Sequence, residues 1–229
     1  RLGGKAALDA LDFAGIERLV AQCVDEALQG SEIDPQRFGE SLMQLEKTRV
    51  VALISHWLEY KEKARLQDFE VVALETAMDT QLMGIPLKLR IDRIDRIGDK
   101  RLVIDYKTGS IDGKALNSDS LTEPQLPIYA LAASEDSPVD GVMLAQLRSP
   151  DDLKVHMRSN WANSVIAKKA HGNDVESPDK WQAELRAWEG ALQSMAEGIL
   201  AGNIADGEVV KVSAGPDGLT LNGIKAEAA

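Results

Sequence analysis

Two aspartates and one lysine in the middle of the chain have the types and spacing needed to share a metal ion. The dipeptide Gly98-Asp99 is typical of a two-residue hairpin loop, in which Gly supplies the positive φ at the first position. With that loop, antiparallel pairing places Asp92 directly opposite Asp105 on one side of the sheet. Opposed Cβ atoms lie about 4.5–5.5 Å apart. Both carboxylates are therefore expected to reach one cation.

Strand alternation adds Lys107 to this pair, because residues two apart project from the same face of a strand. Leu102, Ile104 and Tyr106 then point the other way, into the expected core. Neighbouring carboxylates repel each other unless a cation neutralises them, and their oxygens suit a hard ion such as Mg²⁺ or Mn²⁺. Such an ion lowers the pKa of bound water and stabilises charge developing on a phosphate, and Lys107 could orient that water. This is the chemistry of phosphodiester hydrolysis.

The alternative is that these acids are exposed strand residues in ordinary surface ion pairs. Such pairs are common and contribute little to stability. The acids concerned are Asp92, Asp95 and Asp105, and their partners would be Arg90, Arg93 and Lys107. Asp105 has apolar neighbours on the strand, where an unpaired acid is costly to bury. Both interpretations stay open on the residue types alone.

Composition limits the classes of protein that this chain can belong to. Of its 229 residues, 44% are hydrophobic and 28% charged, which is typical of a globular protein. The formal net charge of −11 argues against a free-standing module that holds nucleic acid by bulk positive charge. A single cysteine, Cys23, excludes a disulfide framework and a self-contained Fe–S cluster. Without a long apolar run or a signal-peptide pattern, we expect a cytoplasmic protein that has no membrane partner.

Hydrophobic periodicity predicts helices before residue 66 and mainly strands after it. One helix is expected over 6–28, ending near Gly30, and another around 50–58. Strands are predicted at 69–74, 87–97, 101–106 and 141–147, with a helix after Pro124. Residues 149–177 are polar and weakly periodic, which predicts an irregular insertion. Ser177 and Pro178 then begin a tryptophan-rich helix that ends at Gly202, and the Gly-rich tail allows at most a small hairpin.

Three segments together resemble the PD-(D/E)XK nuclease superfamily, most of all the RecB/AddB-type nuclease domain of helicase–nuclease DNA repair proteins. They are Asp92, the VIDYKTG run at 103–109 and the PQLPIYA run at 124–130. The resemblance implies an α/β fold with a restriction-endonuclease-like core, in which helices flank a mixed β-sheet. We expect an N-terminal helical region over 1–66 and the nuclease core over 67–148. The remainder, 149–229, would add the insertion, a long C-terminal helix and the tail to one compact domain.

The resemblance also implies a metal site. Asp92 and Asp105 would bind Mg²⁺ or Mn²⁺ together with the backbone carbonyl of Tyr106. Glu75, near the end of the preceding strand, is a further candidate acid, although its spacing is not diagnostic.

Catalytic roles follow from the same resemblance. Lys107 would be the catalytic lysine beside Asp92 and Asp105. Gln125 and Tyr129 match the accessory motif of the family and lie one helical turn apart. Gln125 could instead be a solvent-facing helix residue, and core packing is an equally reasonable role for Tyr129.

Two family features are missing from the chain. The metal-binding histidine of the N-terminal helix has no match, because the context of His56 differs from that motif. The cysteine quartet that forms an Fe–S cluster in many relatives is also missing, so we expect no such cluster here. His156 and His171 are predicted to be solvated residues of the irregular stretch.

The resulting expectation is a metal-dependent deoxyribonuclease domain that acts in DNA repair or recombination. Its partners would be DNA, contacted through the backbone, and a helicase motor in the same polypeptide or in another subunit. A rim of basic residues around the hairpin would guide the phosphates: Lys88, Arg90, Arg93, Arg96, Lys100, Arg101, Lys107 and Lys114. The alternatives are a non-catalytic DNA-binding or scaffold module that retains the fold and, less favoured, a sugar-phosphate or nucleotide hydrolase.

Overall fold

The computed structural model describes residues 2–30, 39–82, 84–112, 114–160, 177–201, 212–215, 218–221 and 224–225. Its helices are α1 (Lys5–Asp9), α2 (Phe13–Gln29), α3 (Glu40–Trp57), α4 (Gln125–Asp136) and α5 (Pro178–Ala201). A π-helical turn, Leu58–Glu62, continues α3, and a 3₁₀ turn covers Ser118–Ser120. None of the described helices combines the length and apolar character needed to cross a bilayer.

Five strands form the main sheet in the order β1-β2-β3-β4-β5. Their bounds are Glu70–Leu82, Ile85–Ile97, Lys100–Lys107, Gly141–Ser149 and Asp152–Ser159. β3 and β4 pair in parallel and the other neighbours pair antiparallel, so the sheet is mixed. A parallel pair needs a crossover connection, and α4 supplies it. The predicted α/β architecture, a mixed sheet flanked by helices, is confirmed.

The sheet separates two apolar layers. On one face, α4 and α5 pack over a cluster that contains Val103, Leu126 and Leu144. On the other face, the end of α3 packs through Trp57 against Ile104 and its neighbours. Alternate residues of β3 therefore enter different layers, as strand geometry requires.

The β2–β3 hairpin has the predicted register. Ile97 pairs with Lys100 across the turn, and the same register continues to the pair Arg93 and Ile104. Gly98 adopts a φ of 61°, the left-handed conformation that the first position of this turn demands. The turn is confirmed, and so is the register as far as Arg93 and Ile104, but the paired residues do not include Asp92 and Asp105.

β2 changes the direction of its side chains just before Asp92. Leu87 and Ile91 pack on the face that α4 and α5 cover, and so does Ile94, three residues after Ile91. Regular alternation forbids this for residues an odd number apart, so the alternation shifts between Ile91 and Ile94. On β1 the neighbouring residue is Glu75, which has a φ of 50°. Asp92 alternates regularly with Ile94 and therefore points to the face that Asp105 occupies, next to this irregularity.

Two tryptophans of α5 donate hydrogen bonds to the crossover segment that connects β3 to β4. Trp181 Nε1 donates a hydrogen bond to the carbonyl of Val139, and Trp188 Nε1 donates to the carbonyl of Leu116, each at 2.8 Å. The rings contact each other edge to face with centroids 5.7 Å apart. The acceptors lie before and after α4, so α5 holds both ends of the segment that carries this helix.

The prediction of an irregular loop over 149–177 is wrong where β5 lies. Polar and apolar residues alternate strictly from Asp152 to Arg158, which is the period-two pattern of a strand, and the prediction missed it. Its inward residues on the α3 side are Leu153, Val155 and Met157. His156 is buried rather than solvated, since it lies on the face under α5. Residues 161–176, and with them His171, lie outside the described residues.

Two smaller predictions also need correction. The helix expected over 6–28 is two helices, because Asp12 caps α2 by accepting a hydrogen bond from the Gly15 amide at 2.7 Å. The tail contains three short antiparallel strands rather than one hairpin: Val212–Gly215, Gly218–Leu221 and Ile224–Lys225. The predicted helix start is confirmed by a hydrogen bond from the Lys180 amide to Ser177 Oγ. Gly202 lies outside the described residues.

The left-handed conformation of Glu75 allows a test of the irregularity beside Asp92. We expect Glu75→Gly to be at least as stable as the wild type, since a side chain at this φ costs about 1–2 kcal/mol. Glu75→Val should be the least stable variant, because a β-branched side chain is least tolerated there. Midpoints of urea unfolding measure the order. Glu75→Gln controls for the lost charge, and a glycine variant less stable than the valine variant would contradict the assignment.

Candidate active site

The two aspartates meet at the end of the β2–β3 pair. Asp92 Oδ2 accepts a hydrogen bond of 2.9 Å from the backbone N–H of Tyr106, the residue that follows Asp105. Because Tyr106 directly follows Asp105, this hydrogen bond brings the carboxylate of Asp92 to the end of β3 at which Asp105 lies. Asp105 is only 1% exposed, so its carboxylate is shielded from water.

Lys107 lies between the acids and the crossover helix. Its Nζ is 3.1 Å from Asp105 Oδ2 and donates a 2.6 Å hydrogen bond to Gln125 Oε1. Glu123 Oε2 lies 3.8 Å away on the other side. The ammonium therefore stands among two carboxylates and an amide, and it supplies positive charge where the carboxylates gather.

Gln125 and Tyr129 extend this chain of contacts along α4. Gln125 Nε2 donates a hydrogen bond to the hydroxyl of Tyr129 one turn later. Tyr129 is buried in the apolar layer as well, so packing and a polar role coexist in one side chain. Burial raises the pKa of its hydroxyl, Gln125 opposes that shift, and the charges of Asp105 and Asp92 add to it. The accessory pair thus borders the aspartates.

The environment of Asp105 favours its protonated form. The pKa of this carboxyl is raised to about 6, mainly by burial, and the charges of Asp92 and Glu123 contribute to the rise. Lys107 opposes these effects without cancelling them. A buried acid held beside other acids is typical of a functional site rather than of a surface ion pair.

The donor atoms fit a small hard cation. Asp92, Asp105 and the carbonyl of Tyr106 would supply protein oxygens, and Mg²⁺ keeps several waters when it binds to one or two carboxylates. Within the part of the chain that the structure describes, no group of three or more His, Cys, Asp or Glu side chains could hold a metal ion. Any ion here would therefore rely on two carboxylates, backbone and water.

Glu75, the further candidate acid, lies elsewhere, and so does His56, whose context does not match the family motif. Glu75 pairs with Arg90 at 2.5 Å between its Oε2 and the arginine Nε, and its side chain is 56% exposed. His56 contacts the rings of Phe13 and Tyr60, with centroids 5.7 and 5.4 Å away. The structure brings neither residue into the cluster around Asp105.

The predicted basic rim is smaller than expected. Arg93 is buried on the opposite face of the sheet, where its guanidinium binds Asp95 at 2.6 Å. Arg96 pairs with Glu70, and Arg101 donates to backbone carbonyls, among them that of Ser137 at 2.7 Å. The number of basic residues on the strands overestimates the rim, because it does not take into account the face to which each side chain points.

Two features of the site escaped sequence reasoning. Glu123 contributes a carboxylate near Lys107, and its place two residues before Gln125 was the available signal. The second feature is a buried cluster of charges beneath the sheet, which includes Glu62 and Arg65. Glu62 and Arg65 lie three residues apart on a helical turn, a spacing that is also typical of surface ion pairs. The sequence alone therefore does not indicate that they are buried.

Comparison with known proteins identifies a family. A family model described as the PD-(D/E)XK nuclease superfamily matches residues 8–209. A solved structure described as "Crystal structure of SSO0001" is 19% identical, with a TM-score of 0.29, over 83% of this chain and 88% of that chain. The comparison with curated proteins found no match.

The raised pKa of Asp105 predicts a stability gain for Asp105→Asn in metal-free buffer. An ordinary aspartate releases its proton near pH 3.8 in the unfolded chain, but the folded protein keeps it until about pH 6. Stability should therefore fall as pH rises through this window, and the loss should persist above it. The asparagine variant avoids a penalty of up to about 3 kcal/mol at pH 7 and none below pH 3.5. Urea unfolding with EDTA at both pH values measures the gain, and an equal gain at both would contradict the prediction.

Proposed function

Because the chain belongs to the PD-(D/E)XK nuclease superfamily, we propose that it is a metal-dependent nuclease that hydrolyses phosphodiester bonds of DNA. The observation that carries this proposal is the contact of 3.1 Å between Lys107 Nζ and the buried carboxylate of Asp105, beside Asp92. Two acids and a lysine on one face are the groups that such hydrolysis requires.

Asp92, Asp105 and the backbone carbonyl of Tyr106 would hold the metal. The burial of Asp105 supports this assignment, because a carboxylate that is 1% exposed and faces a second acid is stabilised by a bound cation. When bound, a divalent ion of this kind activates water and stabilises negative charge on the phosphate. Mg²⁺ and Mn²⁺ are the ions that match an all-oxygen donor set of this size.

The remaining residues would hold and orient the reacting groups. Lys107 donates hydrogen bonds and can hold the attacking water or a phosphate oxygen. Gln125 fixes the ammonium through its 2.6 Å hydrogen bond, and Tyr129 in turn fixes the amide of Gln125. These contacts form one chain from the core to the reactive face, so the lysine amine needs little reorganisation during the reaction.

The substrate class follows from charge and composition. Aromatic residues make up only 4% of the sequence, which disfavours readout by stacking on bases. We therefore expect contacts with the phosphate backbone and no sequence specificity. The motifs at 103–109 and 124–130 support a RecB/AddB-type domain that works in the cytoplasm with a helicase motor in DNA repair or recombination.

A non-catalytic DNA-binding or scaffold module is the second candidate. The small number of potential metal ligands favours it, since the described residues contain no group of three or more His, Cys, Asp or Glu side chains that could hold a metal ion. A module of this kind would keep the fold and Lys107 without turnover.

We predict that Lys107→Ala and Asp105→Ala each lower cleavage of linear DNA by at least about 100-fold, because each removes a group that activates water or stabilises charge. Cleavage in the presence of Mg²⁺ or Mn²⁺ is measured on radiolabelled DNA, with folding checked by circular dichroism. Lys154→Ala is the matched control, since this lysine lies on β5 and pairs with Asp152.

Three outcomes separate the candidates. Full activity of either active-site variant would refute the assignment. No cleavage by the wild type, with no Mn²⁺ binding that depends on Asp92 and Asp105 in calorimetry, would favour the scaffold module. Cleavage that requires Mn²⁺ and both aspartates would support the nuclease.

A further inference from the structure

A neutral cluster of four charged side chains is buried on the sheet face opposite the acids. Its members are less than 10% exposed and come from the turn after α3 and from β2. They are Glu62, Arg65, Arg93 and Asp95. Arg65 Nη1 contacts Glu62 at 3.0 Å and Asp95 at 2.5 Å, and its guanidinium lies over the ring of Phe69. The chemistry proposed above uses none of these groups.

Arg93 is the centre of this cluster, and its guanidinium is fully used. Its Nε and Nη2 donate to the two oxygens of Asp95 at 2.6 and 2.9 Å. Its Nη1 and Nη2 donate to the oxygens of Glu62 at 3.1 and 3.3 Å. The fifth hydrogen bond, 2.8 Å from Nη1, ends on the hydroxyl of Tyr106. A guanidinium has five N–H donors in a rigid fork, so its position is fixed by all three partners.

Tyr106 connects the two faces of the sheet. Its side chain lies below, between Arg93 and Trp57, whose ring it meets edge to face with centroids 6.1 Å apart. Its backbone N–H lies at the acidic face and donates to Asp92 Oδ2. Its backbone carbonyl is the expected third oxygen of the metal site. One residue thus links the buried charges to the groups that would bind the ion.

We propose that Arg93 is a positioning residue for the metal site and acts through the hydroxyl of Tyr106. This inference rests on the proposed nuclease function and adds a residue that touches neither metal nor DNA. By holding the tyrosine side chain, Arg93 fixes the peptide of residue 106, and that peptide in turn holds the carboxylate of Asp92. Mutation of a group that orients the ligands of a metal commonly lowers the affinity of the protein for that metal 10- to 100-fold.

The cost of burying the cluster supports a role beyond stability. Taking four charges out of water carries a desolvation penalty for each ion, and apolar residues of similar volume often replace such groups with a gain in stability. The five hydrogen bonds of Arg93 give its guanidinium a defined geometry that apolar packing lacks. One of these bonds ends on Tyr106, whose backbone N–H donates to Asp92.

Tyr106→Phe tests the inference with little disturbance. It removes the hydroxyl, keeps the ring against Trp57, and leaves Arg93 Nη1 its bond to Glu62. We expect Mn²⁺ affinity in calorimetry without DNA to fall about tenfold. In cleavage assays, the Mn²⁺ concentration for half-maximal rate should rise by the same factor, while kcat at saturating Mn²⁺ should change less than threefold. Arg93→Lys, which replaces five N–H donors in a planar fork by three on a flexible stem, should show at least the same loss.

Leu102→Val is the matched control. This buried residue lies on β3 with its side chain in the same layer as Tyr106, but it joins no polar contact. It should lose thermal stability and keep Mn²⁺ affinity. Unchanged Mn²⁺ affinity in Tyr106→Phe, with wild-type binding intact, would overturn the positioning role alone. Absence of Asp105-dependent Mn²⁺ binding in the wild type would overturn the proposed function and this inference together.

Discussion

Two carboxylates can share one face of a sheet only where nearby positive charge and N–H donors offset their repulsion. In this protein the offset comes from residues 106 and 107, which directly follow Asp105. The Tyr106 amide holds Asp92, and the Lys107 ammonium stands beside Asp105. The rest of the fold keeps these groups aligned. A tight hairpin sets the register, and the side-chain amide of Gln125 on α4 accepts a hydrogen bond from Lys107.

Much of this arrangement could be predicted from the sequence because its determinants are local. A two-residue turn fixes the register of a hairpin, and period two then decides which side chains share a face. Gln125 and Tyr129 lie one helical turn apart, so their alignment also follows from local geometry. Asp92, Asp105 and Lys107 needed no knowledge of distant parts of the chain.

What could not be predicted depends on contacts that are distant in sequence. Arg93 looks like one more charge on a basic strand until Glu62, thirty-one residues earlier, is packed beneath it. β5, by contrast, could have been predicted, because its polar and apolar residues alternate strictly. The irregularity at Glu75 leaves no mark in composition, since the residue is an ordinary glutamate in a left-handed conformation.

The hydrogen bonds of the two α5 tryptophans have a consequence for the order of assembly during translation. The hairpin that carries both acids is complete by Lys107, whereas Trp181 and Trp188 emerge from the ribosome more than seventy residues later. Domains are made from the N-terminal end, and tertiary contacts form only when both partners exist. A nascent chain can therefore bring its two acids together early. The hydrogen bonds of Trp181 and Trp188 to the segments on either side of α4, the helix of Gln125, form only after synthesis has passed Trp188. The order of the elements along the chain therefore delays completion of the reactive face until most of the polypeptide has been made.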